Sequence, residues 1–192
     1  TLISVASDTE KHCGISVRDT AILELIYGAG LRVGETFGLD VEDVDMDQMQ
    51  VKVLGKGSRE RIALFGKSAK TALHSYINTA RHTFCGDGDT RALFLSRNGV
   101  RLSIRSIQDR IRKYARLSGL GSRVHTHTLR HSFATHMIDG GADLRVVQDL
   151  LGHSSPTTTQ IYTHVTLREA GKSYVQAHPL STIDDRTKMT GR

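Results

Sequence analysis

Four residues in the second half of the chain carry side chains that together can bind and attack a phosphodiester. In sequence order they are His127, Arg130, His153 and Tyr162, which fall within 36 positions. A planar guanidinium donates two hydrogen bonds to phosphate oxygens at fixed geometry, and an imidazole exchanges a proton near neutral pH. A phenol oxygen can attack phosphorus and form a covalent ester. The set therefore predicts phosphoryl transfer that needs no metal ion.

A charged pair lies upstream, at the end of a predicted helix. The apolar spacing predicts a helix from Ser16 to about Gly30, opened by a capping box at Ser16 and Asp19. Arg32 follows directly, and Glu35 lies three residues further on. We expect the carboxylate to pair with the guanidinium, which on its own would be an ordinary structural ion pair.

A lysine lies at a predicted turn between two strands. Apolar residues alternate over 49–53 and again at Ile62 and Leu64, and the glycine-rich segment between them contains Lys56. This pattern predicts a β-hairpin over 49–65 with Lys56 near its tip.

The order and spacing of these residues resemble the catalytic motifs of the tyrosine recombinases, the phage integrase and Xer family. The motif His-x-x-Arg at 127–130 is followed by a histidine 23 residues after the arginine and by a tyrosine nine residues later. Gly30-Leu31-Arg32-Val33-Gly34-Glu35 resembles the family's first motif, Gly-x-Arg-x-x-Glu. The family also carries a catalytic lysine on a hairpin of this kind. The resemblance covers about 16–179, nearly the whole chain.

The resemblance implies a phosphate-binding role for three of these side chains. Arg32, Arg130 and His153 would donate hydrogen bonds to the non-bridging oxygens of the scissile phosphate. Glu35 would steady Arg32 without contacting the substrate.

It also implies the groups that make and break bonds. Tyr162 would be the nucleophile of a 3′-phosphotyrosyl intermediate, and Lys56 would protonate the leaving 5′ oxygen. His127 would accept the phenol proton or orient the phosphate. Because the sequence has no acidic cluster of the kind that two-metal nucleases use, we expect neither a metal ion nor another cofactor.

Positive charge is concentrated between 97 and 123. The whole chain has a formal net charge of +6, and this stretch holds eight basic residues against one acidic residue. A helix is predicted over 103–118, with isoleucines on one face and Arg105, Arg112 and Arg116 on another. We interpret the arginine face as a surface for the DNA backbone. A solvated basic face is the alternative.

The composition excludes several other classes of protein. No apolar run approaches the ~18 residues that a membrane-spanning helix needs, and no signal peptide is visible. Cys13 and Cys85 lie far apart, so neither a disulfide framework nor a zinc knuckle is expected. With the resemblance, these observations predict a cytoplasmic, nucleoid-associated protein. We expect it to act on double-stranded DNA as a homo- or hetero-tetramer, away from any membrane.

The predicted elements indicate an α+β fold dominated by helices. Beyond the hairpin, helices are predicted at 68–81, 103–118 and 128–139, between Asp143 and Gly152, and at 167–176, where a capping box begins at Thr166. The predicted organisation is a linker remnant at 1–15, a catalytic domain at 16–178 and a disordered tail at 179–192. The resemblance implies a separate DNA-clamping domain upstream in a longer recombinase.

Several alternatives stay open at this point. The chain could be a DNA-binding module of the same fold without chemistry, or a metal hydrolase using His127 and His131, although a third ligand is missing. A recombinase of this type could resolve chromosome dimers or integrate mobile elements. The helix at 167–176 is too short to be stable alone, so it docks either in cis or on a neighbouring protomer.

Overall fold

The computed structural model describes residues 2–8, 14–55, 60–85, 91–121, 124–152 and 164–181, with side chains from 170 onward in the last range. The strands in these ranges are β1 Val44–Asp45, β2 Gln50–Leu54 and β3 Glu60–Leu64. The helices are α1 Leu2–Asp8, α2 Gly14–Gly28, α3 Val33–Gly38, α4 Lys67–Ser75, α5 Ile104–Leu117, α6 Thr126–Asp139, α7 Leu144–Leu151 and α8 His164–Ala177. Among these residues, no helix combines the length and the apolar character needed to cross a membrane.

A small antiparallel sheet follows α3, with its strands in the order β1-β2-β3. β2 pairs with β3 so that Val51 lies opposite Ala63 and Val53 lies opposite Arg61. This confirms the predicted hairpin, and the helical majority confirms the α+β class.

The inward face of β3 differs from the sequence pattern. The alternation suggested Ile62 and Leu64 as its apolar residues, but the residues opposite the two buried valines are Arg61 and Ala63. Leu64 packs against a second hydrophobic cluster on the other side of the strand. Because both faces of β3 are partly covered, alternation does not identify a single buried face.

α2 lies at the centre of the fold. Ile22 and Ile26 are fully buried, and the helix packs against α1, α4 and α6. Its first turns are joined to α5 by buried polar groups. Arg18 pairs with Asp19 at 2.7 Å, and the Tyr114 hydroxyl donates to the other oxygen of that carboxylate. α2 is therefore the element on which the neighbouring helices are positioned.

The amino-terminal region differs from the expected linker. Residues 2–8 form α1, whose Leu2 and Ala6 are buried against the core. Two turns are too few for a helical period to be detected in the sequence. α2 also begins at Gly14, so Ser16 lies inside the helix and is buried, and the predicted capping box at that residue is wrong.

The basic helix α5 and the later helix α7 both form as predicted. Ser103 caps α5 by accepting a hydrogen bond from the amide of Ser106, and Ile107 and Ile111 are fully buried. Asp143 caps α7 by accepting a hydrogen bond from the amide of Arg145, and Val147 is buried, whereas Leu144 is 58% exposed. Leu144 is the first residue of α7, and the buried residues of this helix begin at Val147.

The carboxyl-terminal helix docks in cis. α8 begins at His164, so Thr166 lies within it instead of capping it. Tyr174 is buried and its hydroxyl donates to the carbonyl of Gly28 at 2.8 Å. The Ser181 hydroxyl donates to the carbonyl of Val175. Residues 179–181 therefore belong to the packed domain and not to a tail, and 182–192 lie outside the described residues.

Candidate active site

The turn between α2 and α3 brings Arg32 next to α6 and α7. Gly30 has a φ of +58°, in the left-handed region that favours glycine. A Cβ at this position would lie 2.7 Å from Cδ1 of Phe133 and 2.9 Å from Cδ2 of Leu151. The backbone thus approaches both helices at a distance that no other residue type allows.

Glu35 accepts three hydrogen bonds in a buried setting. Its Oε2 accepts from the backbone amide of Arg32 at 2.8 Å, and its Oε1 accepts from Nη1 of the same residue at 3.0 Å. Oε2 also accepts from Nη2 of Arg61 at 3.0 Å. The Glu35 side chain is 3% exposed, whereas that of Arg32 is 43% exposed. The carboxylate therefore orients Arg32 and leaves its guanidinium accessible to a ligand, the geometry expected of a supporting residue.

Arg130 is buried beside the same carboxylate. Its Nη1 and Nη2 donate to the carbonyl oxygens of Gly30 and Leu151, and Nη1 lies 4.0 Å from Oε2 of Glu35. A guanidinium has five N–H donors, so these two bonds leave others for a phosphate oxygen. The fold therefore brings Arg32 and Arg130, which are far apart in the sequence, to a single carboxylate.

The charges of this cluster act on one another. Burial and the charge of Arg32 together lower the pKa of Arg130 to about 10, and Glu35 opposes the change. At this pKa the guanidinium is still charged at neutral pH. Three guanidinium groups around one carboxylate give the site an excess of positive charge, which favours an anionic ligand.

His127 lies in the first turn of α6, three residues before Arg130. Its side chain is exposed, and its ring centroid lies 6.1 Å from that of His125. Residues three apart share a face of a helix, so the imidazole lies on the side of α6 that carries Arg130.

Lys56, His153 and Tyr162 lie outside the described residues, so the roles expected of them stay predictions. The structure does describe the elements next to Lys56 and His153 in the chain. Lys56 belongs to the connection between β2 and β3, and His153 directly follows Gly152, which ends α7 with a φ of +67°.

Arg61 belongs to this cluster, although the sequence analysis did not identify it. Its side chain is 9% exposed and reaches Glu35 from β3. The signal that could have found it is the hairpin register, because Arg61 stands opposite the buried Val53. A charged residue at an inward position needs a charged or polar partner.

The exposed face of α5 carries the predicted DNA-binding arginines. Arg105, Arg112 and Arg116 are all exposed, and Nη1 of Arg112 pairs with Oδ1 of Asp109 at 2.8 Å. The helix packs against α3, the helix that Arg32 precedes. The arginine face therefore belongs to an element that contacts the site.

No metal site occurs in the part of the chain that the structure describes. There, no three His, Cys, Asp or Glu side chains are grouped so that they could bind a metal ion. His131, suggested as a metal ligand together with His127, is an exposed residue of α6.

Within the described residues, the chain is a mostly helical domain in which arginines of separate segments surround one carboxylate. The chain belongs to the phage integrase family, whose family model matches residues 3–169. A tyrosine recombinase XerC of Shewanella amazonensis is 48% identical over 172 residues, which are 90% of this chain and 57% of that protein.

Solved structures resemble the fold as well. A crystal structure of XerA recombinase is 34% identical, with a TM-score of 0.70 over 90% of this chain and 61% of that chain. The XerH site-specific recombinase bound to its difH substrate, in a pre-cleavage complex, is 25% identical, with a TM-score of 0.69 over 89% of this chain and 50% of that chain. This chain therefore spans between half and about three fifths of the length of these three relatives.

Proposed function

We propose that this chain is the catalytic domain of a site-specific DNA recombinase that cleaves and rejoins strands through a 3′-phosphotyrosyl intermediate at Tyr162. The observation that supports it most is the convergence of Arg32 and Arg130 on Glu35. Each arginine belongs to a motif of the family, and together they form a site for one phosphate group.

In the proposed reaction, the Tyr162 oxygen attacks phosphorus while the bond from phosphorus to the 5′ oxygen breaks. His127 accepts the phenol proton, and Lys56 donates a proton to the leaving 5′ oxygen. The ester conserves the energy of the broken bond, so a 5′ hydroxyl of another strand can reverse the step and rejoin the DNA.

Arg32, Arg130 and His153 are proposed to stabilise the charge on the non-bridging oxygens. Removing one preorganised donor of this kind typically slows a reaction by on the order of 10²–10³-fold. The anchoring of Arg130 on two backbone carbonyls supports such preorganisation, because its guanidinium has no freedom to be reordered during the reaction.

The proposed partners are double-stranded DNA and further copies of a recombinase. Exposed arginines on α5 support contact with the phosphate backbone. We further propose that the chain forms a homo- or hetero-tetramer on DNA and resolves chromosome dimers. Its similarity to XerC recombinases favours an enzyme of the Xer type. The proposed location is the cytoplasm, at the nucleoid.

The experiment uses a pool of nicked duplexes of randomised sequence, because the target sequence is unknown. A nick next to the cleaved bond lets a short strand diffuse away and traps the covalent adduct. We expect an adduct in EDTA with the wild-type chain and none with Tyr162→Phe. Sequencing the trapped DNA would identify the target.

Two other results would contradict the proposal. DNA binding without an adduct would favour the inert binding module. An adduct that EDTA abolishes would favour a metal-dependent enzyme.

A further inference from the structure

We propose that Arg61 is a positioning residue of this site, which joins the hairpin, Glu35 and the end of α7 into one unit. The inference rests on the proposed function, since it assigns a part in strand cleavage to a residue outside the family motifs described above. Arg61 would act through the residues that it orients and would not contact DNA.

The Arg61 guanidinium bridges two acceptors from different elements. Nη2 donates to Oε2 of Glu35 at 3.0 Å, and Nη1 donates to the carbonyl oxygen of Leu150 at 2.8 Å. Glu35 in turn binds Arg32 through both its backbone and its side chain. One side chain of β3 therefore holds two groups in place. One is the Glu35 carboxylate, which orients Arg32, and the other is a carbonyl in the last turn of α7.

Arg61 also makes a close contact with Gly152. A Cβ at this glycine would lie 2.7 Å from Cδ and 2.9 Å from Nε of Arg61. The φ of Gly152, +67°, also favours glycine. The stem of Arg61 thus packs on the residue that ends α7 and directly precedes His153.

Like Arg130, and unlike Arg32, Arg61 is enclosed by the protein. Its side chain is 9% exposed, against 43% for Arg32. Within the described residues, its Nε is buried without a hydrogen-bond partner, against the backbone of Gly152. A guanidinium enclosed in this way is suited to holding protein groups in place.

Lysine is a poor substitute at this position. A guanidinium donates from two nitrogens in one plane and so spans two acceptors, whereas an ammonium is a single point charge on a flexible stem. Arg61→Lys retains the positive charge near Glu35 but loses the simultaneous bond to Leu150. The pair of variants Arg61→Lys and Arg61→Met therefore separates charge from geometry.

The test measures single-turnover cleavage of a trapped nicked duplex together with the Kd for the same DNA. We expect both variants to cleave on the order of 10–100-fold more slowly, by analogy with residues that orient metal-binding side chains in other enzymes. The Kd should change less than about threefold. The control is Glu60→Gln, the neighbouring residue of β3, whose side chain is 58% exposed. Its cleavage rate should equal that of the wild type.

A double-mutant cycle with Glu35→Gln distinguishes positioning from a general loss of stability. If Arg61 acts through Glu35, the variant with both Arg61→Met and Glu35→Gln should lose no more rate than the slower single variant. Multiplied losses would contradict the proposal. Thermal unfolding is measured for each variant, and if Arg61→Met does not fold, Arg61→Lys alone decides the question.

Failure of this inference differs from failure of the proposed function. If the wild type forms the adduct and Arg61→Lys cleaves at the wild-type rate, Arg61 has no positioning role and the recombinase assignment stands. If the wild type forms no adduct on any duplex of the pool, both proposals fall.

Discussion

Glu35 is a buried carboxylate with guanidinium groups on several sides. Arg32 and Arg61 donate to it, and Arg130 lies 4.0 Å away. Two of these three arginine side chains are themselves only 9% exposed. Buried charges of one sign need a compensating charge, because water no longer solvates them. The negative charge of Glu35 thus allows three arginines to lie close together at the proposed phosphate site.

Loss of this carboxylate should destabilise the fold. Removing one partner of a buried charge pair typically costs about 3–5 kcal/mol, so we expect Glu35→Ala to lower the free energy of unfolding by about that amount. Urea denaturation measures the change. Glu60→Ala, which removes an exposed partner of Lys52, should leave the stability almost unchanged. Equal losses for the two variants would argue against a compensating role of Glu35.

Among the elements, α5 shows most clearly how one helix serves two purposes. Its buried isoleucines face the core, and Arg105, Arg112 and Arg116 face solvent on the opposite side. Asp109 lies on the arginine face and pairs with Arg112. The face therefore combines three cations with one anion. Each arginine should strengthen DNA binding, and Asp109 should weaken it.

Replacing the three arginines of α5 by glutamine should weaken DNA binding and reduce its salt dependence. Each phosphate neutralised contributes about 0.9 to the slope of log K against log salt concentration, so the triple variant should lose up to about 2.7 from that slope. Asp109→Asn serves as the matched variant and should bind more tightly. Titrations at several salt concentrations measure both, and an unchanged slope in the triple variant would exclude α5 from the DNA interface.

The docked carboxyl-terminal segment depends on a buried histidine. The ring of His178 stacks on that of Tyr174 with centroids 4.8 Å apart, and it lies 5.1 Å from Tyr27 and 5.4 Å from Phe133. Burial, and to a lesser extent the charge of His136, lowers the pKa of His178 from 6.5 to about 4. The histidine is therefore neutral in the docked segment at neutral pH.

His178 and the buried Glu24 give stability opposite dependences on pH. The unfolded chain protonates the histidine below about 6.5, so its contribution is lost as pH falls from 6.5 towards 4. Burial raises the pKa of Glu24 from 4.5 to about 7, so its contribution is lost as pH rises through that range. Between pH 4.5 and 6.5 the two effects offset each other.

Single variants should reveal the two slopes separately. In Glu24→Gln, the free energy of unfolding should rise with pH from about 4 to 6.5 more steeply than in the wild type. In His178→Gln, it should fall between about 4.5 and 7. Urea denaturation at a series of pH values measures both. Parallel pH profiles for all three proteins would contradict the burial of these groups.

For the whole molecule, the sequence predicted those parts whose pattern is local. The hairpin, α5 and the cap of α7 follow from apolar period and capping residues within one segment. Arg32 and Glu35 were likewise found from spacing within a short motif. The pairing of Arg32 with Glu35 could therefore be anticipated from the amino-acid sequence alone.

The parts that the sequence did not predict depend on contacts between distant segments. The role of Arg61 requires the strand register and the end of α7, and α1 is held by burial of Leu2 and Ala6 against other helices. The cis docking of α8 likewise depends on Gly28, which is far away in the sequence. None of these contacts produces a pattern within a single window of residues.

The site itself lies where two hydrophobic clusters meet. Leu31 and Leu129 belong to the larger cluster, whereas Phe133 and Leu151 belong to the smaller one around α6, α7 and α8. Arg130 donates to the carbonyl of Leu151 in the smaller cluster and to that of Gly30, which directly precedes Leu31 of the larger one. Movement of the smaller cluster would therefore alter the geometry of the proposed phosphate site.

The proposed mechanism requires that DNA become linked to one particular side chain. Digestion of the trapped adduct with trypsin and nuclease, followed by fragmentation in a mass spectrometer, locates the linked residue. The expected peptide is Val146–Arg168, in which Tyr162 is the one tyrosine. A nucleoside 3′-phosphate on Tyr162 is the predicted result. A nucleotide on another residue, or a 5′-phosphate linkage, would contradict the proposed mechanism.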